Sequence, residues 1–179
     1  MLSLGELKKV VQQTLLSVNA RNALTKIVDG LCHYNAGSFL AARTTTDANV
    51  TGDGTVYSVP FPNVLYDHSN GFAPSTGVFT ATTAGVYSLE AKLFLTGIDV
   101  AHTIGELSLA GPETHTITFN PASAMTSSNE VTIGINQQME LGVGDSVSVQ
   151  IVVSGGTKVV DVYGASGAVK TSFAGHLMP

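Results

Sequence analysis

Between residues 87 and 95 the chain alternates, interrupted at Phe94. Tyr87, Leu89, Ala91, Leu93 and Leu95 share one side, with Ser88, Glu90, Lys92 and Phe94 between them. A period of two is the mark of a strand with one face on a core. Val147, Val149, Ile151 and Val153 repeat the pattern, separated by Ser146, Ser148 and Gln150. Further strand patterns fall at 55–59, 64–66, 104–109, 115–119, 131–139 and 168–178, with turn chemistry such as Gly52-Asp53-Gly54 and Asn70-Gly71 between them. Pro60 and Pro62 end the first of these, because neither can donate to a ladder. Eight or more short strands, with no internal repeat, predict an all-β antiparallel two-sheet sandwich or jelly roll over residues 38–179. Phe79, Leu89, Leu93, Val149 and Ile151 are its expected core.

Residues 1–37 read differently. Leu4, Leu7, Val11, Leu15 and Val18 recur at spacings of three and four, with Lys8, Lys9, Gln12 and Gln13 mostly off that stripe. Ser3 and Glu6 have the spacing of a capping box. The phase breaks at Asn19-Ala20-Arg21-Asn22, and a second run, Leu24, Ile27, Val28 and Leu31, gives out before Gly37. A short helical leader of two pieces is predicted, too short and interrupted for an autonomous coiled coil. Its apolar stripe needs a partner, which makes Leu4, Leu7, Lys8, Val11, Leu15 and Val18 the candidate docking residues.

Composition sharpens this division. Residues 1–43 carry five Lys and Arg against two acidic residues, and residues 44–179 carry three lysines against eleven. A basic leader on an acidic head suggests two surfaces with separate tasks. The charged fraction, 12%, is about half of the ~25% usual for soluble domains, and Gly, Ser, Thr, Ala and Val fill the difference. Charges interleave with the apolar residues of Met1–Lys9, so this segment is expected to be neither a signal peptide nor a membrane span. Cys32, the single cysteine, has no partner for an intrachain disulfide. Asn49-Val50-Thr51 fits the glycosylation sequon but is expected to be a turn.

The sequence offers no reaction chemistry. His33, His68, His102, His115 and His176 are scattered without metal-ligand spacing, and no P-loop, nucleophile elbow or dinucleotide fingerprint is present. Asp47 with Asp53, and Glu140 with Asp145, are the closest acidic pairs weighed, and both are read as solvated turn residues rather than a calcium site. An acidic head with three dispersed lysines argues against nucleic acid. No catalytic, cofactor or metal residue is assigned, and no enzyme is expected.

The run Gly77-x-Phe79-x-Ala81-x-x-x-Gly85-x-Tyr87 resembles the central motif of complement C1q-like and tumour necrosis factor-like jelly rolls. Leu141-x-x-Gly144-Asp145-x-Val147-x-Val149 is similar to that family's penultimate strand, and Phe173-x-Gly175-x-Leu177 to its last. The resemblance implies a trimer about a threefold axis, a central hairpin at residues 77–87, closing strands carried by Gly144, Asp145, Phe173, Gly175 and Leu177, and neighbouring first and last strands. Thr82 stands where the family often has proline. Animal members are typically secreted and many carry a Gly-x-y stalk, whereas similar heads occur in bacteriophage virion proteins. The Thr, Gly and Ala-rich head and brief leader fit the second setting. The expectation is a virion protein assembled in the host cytoplasm, namely a capsid decoration protein of the cement or head-fibre type. It would be a homotrimer docked through residues 1–37 to the major capsid protein or another virion protein. The alternative is the receptor-binding tip of a tail fibre or another trimeric adhesive module.

Overall fold

The computed structural model describes residues 37–178, and these form two packed antiparallel sheets. The first is organised around β7 (Gly85–Thr96), which is paired along its full length with β10 (Val131–Leu141) on one side. Its other side is shared by β13 (Ser172–Leu177) and β12 (Val160–Val162). Beyond β13 lie β1 (Phe39–Ala42) and then β4 (Asn63–Asp67), and beyond β12 lies β2 (Asp47–Thr51). The second sheet is built on β11 (Ser146–Ser154). One side of β11 takes β8 (Ile104–Ala110) and then β9 (His115–Phe119). The other takes β3 (Tyr57–Ser58) and β6 (Val78–Thr80), which pairs in turn with β5 (Phe72–Ala73). The one helix among the described residues, the short α1 (Pro121–Ala124), is capped by the Asn120 side chain, which accepts the Ser123 amide at 3.1 Å.

The alternating faces become the core. Tyr87, Leu89, Ala91, Leu93 and Leu95 are fully buried, as are Val147, Val149, Ile151, Val153 and Phe79. First and last strands are neighbours, with Phe39 opposite Gly175 and Ala42 opposite Ser172. The small Gly175 is needed there, since a Cβ would lie 2.6 Å from Leu89 Cδ2 and 2.7 Å from Phe39 Cε1.

One expectation is overturned. The segments on either side of residues 81–84 do not form a hairpin, because β6 pairs with β11 and β5 in one sheet while β7 belongs to the other. The connection is an arch that crosses between the sheets. Its physical reason is that Phe79 and Tyr87 both belong to the buried set, and they meet across the core with ring centroids 5.4 Å apart. A hairpin would have placed them side by side on one sheet. The arch is fastened to the β10–β11 turn: Ala81 N donates to Asp145 O, and Gly144 N to Ala81 O, both at 2.8 Å. Asp145 Oδ2 accepts the Gly142 amide at 2.7 Å, which closes that turn, with Gly144 at φ 92°. At the start of the motif Gly77 has φ 71°, and a Cβ there would lie 2.1 Å from Val59 O.

Gly85 leaves the arch at φ 154°, with Leu177 Cδ1 2.6 Å from where a Cβ would stand. Gly85→Val is therefore expected to cost ~1–3 kcal/mol through backbone strain. A denaturant titration beside Val86→Thr, an exposed neighbour expected to be nearly neutral, checks it. Equal stabilities would count against the strain.

Four other elements differ from the sequence patterns. β1, β2, β5 and β12 lie where no strand is predicted, and β12 rather than β11 is the penultimate strand. Asp47 opens β2 instead of flanking a loop, and Asn49 sits inside it at φ 55°, at an irregular stretch of its pairing with β12.

Candidate functional site

Among the described residues the strand β4 is an edge of the larger sheet and pairs only with β1. Val64, Leu65 and Tyr66 are 36%, 47% and 43% exposed. Register carries this apolar strip inward across the outer face: Tyr66 lies opposite Leu40, Leu40 opposite Ala174, and Ala174 opposite Glu90. Tyr66 also stacks on His68, with centroids 5.4 Å apart. Natural edge strands are usually blunted by lysine, proline or cover, and β4 contains neither residue. A run of apolar side chains on such an edge marks an association surface.

A buried ionic cluster braces the junction of β1 with its neighbours. Arg43, 2% exposed, directs its guanidinium to Thr45 O at 3.3 Å and 3.2 Å, to Pro60 O, and to the Asp47 carboxylate at 2.5 Å. The other Asp47 oxygen accepts from the Tyr57 hydroxyl. A buried guanidinium is tolerable only when paired and hydrogen-bonded, as this one is. Burial, reinforced by the Asp47 hydrogen bond and charge, holds the Tyr57 hydroxyl well above the ordinary tyrosine value. The sign follows from linkage. Above pH ~10 the unfolded tyrosine sheds its proton while the folded one keeps it, so this contribution is complete below pH ~10 and is lost as pH rises further. Tyr57→Phe is expected to flatten the loss of stability between pH 9 and 11, as read from denaturant midpoints. An unchanged slope would remove Tyr57 from the linkage.

The remaining singled-out residues disperse. Asp53 turns away from Asp47: its Oδ1 accepts the Thr55 amide at 3.0 Å and hydroxyl at 2.6 Å, so the two aspartates serve different structures. His102 is fully buried, with Nε2 donating to Thr157 O at 3.1 Å and Nδ1 accepting the Asp99 amide at 3.0 Å. A Cβ at Gly52 or Gly156 would strike its ring, so one histidine ties together three loops at the end of β7 remote from Gly37. The role of His102 was not legible in the sequence, because its partners are a backbone amide of its own loop and a carbonyl 55 residues away. No cluster of three His, Cys, Asp or Glu side chains is assembled among the described residues. Leu4, Leu7, Lys8, Val11, Leu15 and Val18, together with Cys32 and His33, lie outside the described residues.

Two sheets of this topology, with first and last strands adjacent, are a jelly roll. The profile described as C1q domain matches residues 38–178. The chain belongs to the C1q domain family. Solved structures agree on the fold of this C1q domain. The globular domain of zebrafish complement 1qA is 20% identical at a TM-score of 0.55, covering 80% of this chain and 98% of that one. Murine APRIL is 12% identical at TM-scores of 0.50 and 0.51 in structures at pH 8.5 and 8.0, each covering 79% of this chain and 98% of APRIL. No curated protein sequence matches the C1q chain. C1q and tumour necrosis factor-like domains are typically non-enzymatic, trimeric binding or adhesive modules. Among the described residues no helix is long and apolar enough to cross a membrane.

Proposed function

We propose that this C1q domain is the exposed head of a bacteriophage structural protein, a homotrimeric capsid decoration protein of the cement or head-fibre type, held on the particle by residues 1–37. The observation that carries the reading is the position of Gly37. It lies beside Tyr87 at the start of β7, at the end of the sandwich where β13 also finishes, and this is the end of the head that we assign to attachment. The loops tied by His102 occupy the other end. The stripe of Leu4, Leu7, Val11, Leu15 and Val18, with Lys8 beside it, then reaches an acidic virion partner, the major capsid protein in the simplest case. The exposed Val64, Leu65 and Tyr66 supply contact between protomers, since symmetric closure is how one chain covers such a strip.

Deleting residues 1–33 is expected to leave a folded trimer that no longer joins particles. A truncated head that incorporates normally overturns the attachment role, and one that fails to fold makes the leader part of the core. The family's adhesive habit favours a second reading, the receptor-binding tip of a tail fibre. Copy number separates the two, because a decoration protein is abundant on each particle and a fibre tip is scarce.

A further inference from the structure

We infer that the head carries an acid switch, in which His68 and His176 on the outer face of the larger sheet open the protomer contact when the medium becomes acidic. The inference rests on the trimer contact proposed at β4. Ladder register brings the two histidines into one row. His176 on β13 lies opposite Ser88 of β7. On its other side, one step beyond the Phe39–Gly175 pair, stands Ser38, whose carbonyl accepts the His68 amide at 2.9 Å. Only the β1 strand separates them, which puts their backbones roughly 10 Å apart, and both side chains are exposed. The neighbouring row is the strip of Tyr66, Leu40 and Ala174, and the Tyr66 ring stacks on His68 at 5.4 Å. A partner that covers Tyr66 therefore takes His68 out of water as well.

The groups around this row leave new positive charge uncompensated. β7 offers Glu90, diagonal to His176, but Lys92 stands two residues along the same face and offsets it. β10 places Gln138 beside Ser88 and Asn136 beside Glu90, and its carboxylate on this face, Glu140, lies farther off, opposite Val86. β1 contributes Ser38 and Leu40, neither of them titratable. On β4, Asp67 points to the opposite face, where its oxygens accept the Ser69 amide at 3.1 Å and the Phe72 amide at 2.9 Å. Histidine is the side chain that ordinarily changes charge between about pH 5 and 8. Protonating both adds two positive charges per protomer, which a threefold assembly triples, beside a contact made of Val64, Leu65 and Tyr66. Desolvating like charges opposes association, so neutral imidazoles permit closure and imidazolium ions undo it.

The test is sedimentation of the full-length protein over a concentration series at pH 7.5 and at pH 5.5. A trimer at micromolar concentration is expected at the first, with association at least tenfold weaker at the second. The double variant His68→Gln with His176→Gln should stay trimeric at both. His115→Gln, on β9 of the other sheet, should keep the acid response. Thermal melts at pH 5.5 check that the separated protomers are folded. A monomer at pH 7.5 would overturn the trimer contact and the switch with it. Equally strong trimers at both pH values would overturn the switch alone and leave the contact standing. An acid response that survives in the double variant, or protomers that unfold instead of separating, would also overturn the switch.

Discussion

Phe39→Ala is expected to be among the most damaging single substitutions in the head, at about 3–5 kcal/mol. The ring is fully buried and touches three others: Phe79 at 4.4 Å and Phe72 at 5.2 Å, both stacked, and Phe173 edge-on at 4.9 Å. Truncation removes the transfer energy of the ring and leaves a void between the sheets. It also loses aromatic contacts worth about 0.5–1.5 kcal/mol per pair beyond area. Phe39 further fills the space above Gly175 at the β1–β13 seam, so nothing nearby is shaped to collapse into the gap. A domain of this size loses about 2–4 °C per kcal/mol, so a fall in melting temperature of about 10 °C is expected by calorimetry. A fall of less than about 3 °C would show that the aromatic cluster is not the centre of the fold.

The second large effect concerns assembly. Tyr66→Asp is expected to convert the proposed trimer to a folded monomer, because it would place a carboxylate from each protomer in the contact. A buried, unpaired charge costs several kcal/mol, and each ~1.4 kcal/mol is tenfold in affinity. Association should therefore weaken at least a hundredfold. Val143→Asp is the control: Val143 is 71% exposed but sits in the turn after β10, away from β4. Sedimentation at micromolar concentration reads both. A Tyr66→Asp protein that sediments like the parent would exclude β4 from the interface.

The parts legible in the sequence were those where the pattern is long. β7 and β11 bury every second residue over five and four positions, so period alone fixed their inward faces. β1 was not legible: Phe39, Ala41 and Ala42 are buried, but in four residues no period can establish itself. β12 has only Val160 and Val162, and β2 interrupts its pattern at Asn49. The arch at 81–84 was misread because two strands flanking a tight turn look alike in sequence whether they join one sheet or cross between two. The strand pairings, with the ring contact of Phe79 and Tyr87 across the core, distinguish them. The candidate surface was half visible. Val64 to Tyr66 were recognisable as a short strand. The Arg43–Asp47–Tyr57 cluster joins residues close in sequence, but no motif announces that folding buries the arginine.

β13 is the keystone of the larger sheet: it lies between β7 and β1, with a ladder to each. Among the described residues β1 and β4 have no ladder to β7 of their own, so without β13 the sheet would fall into two pieces with unpaired edges. Its pairing joins Phe39 to Gly175, a contact of very long sequence separation, and such closures are slow to form. Folding of the head therefore waits on one distant strand finding its slot.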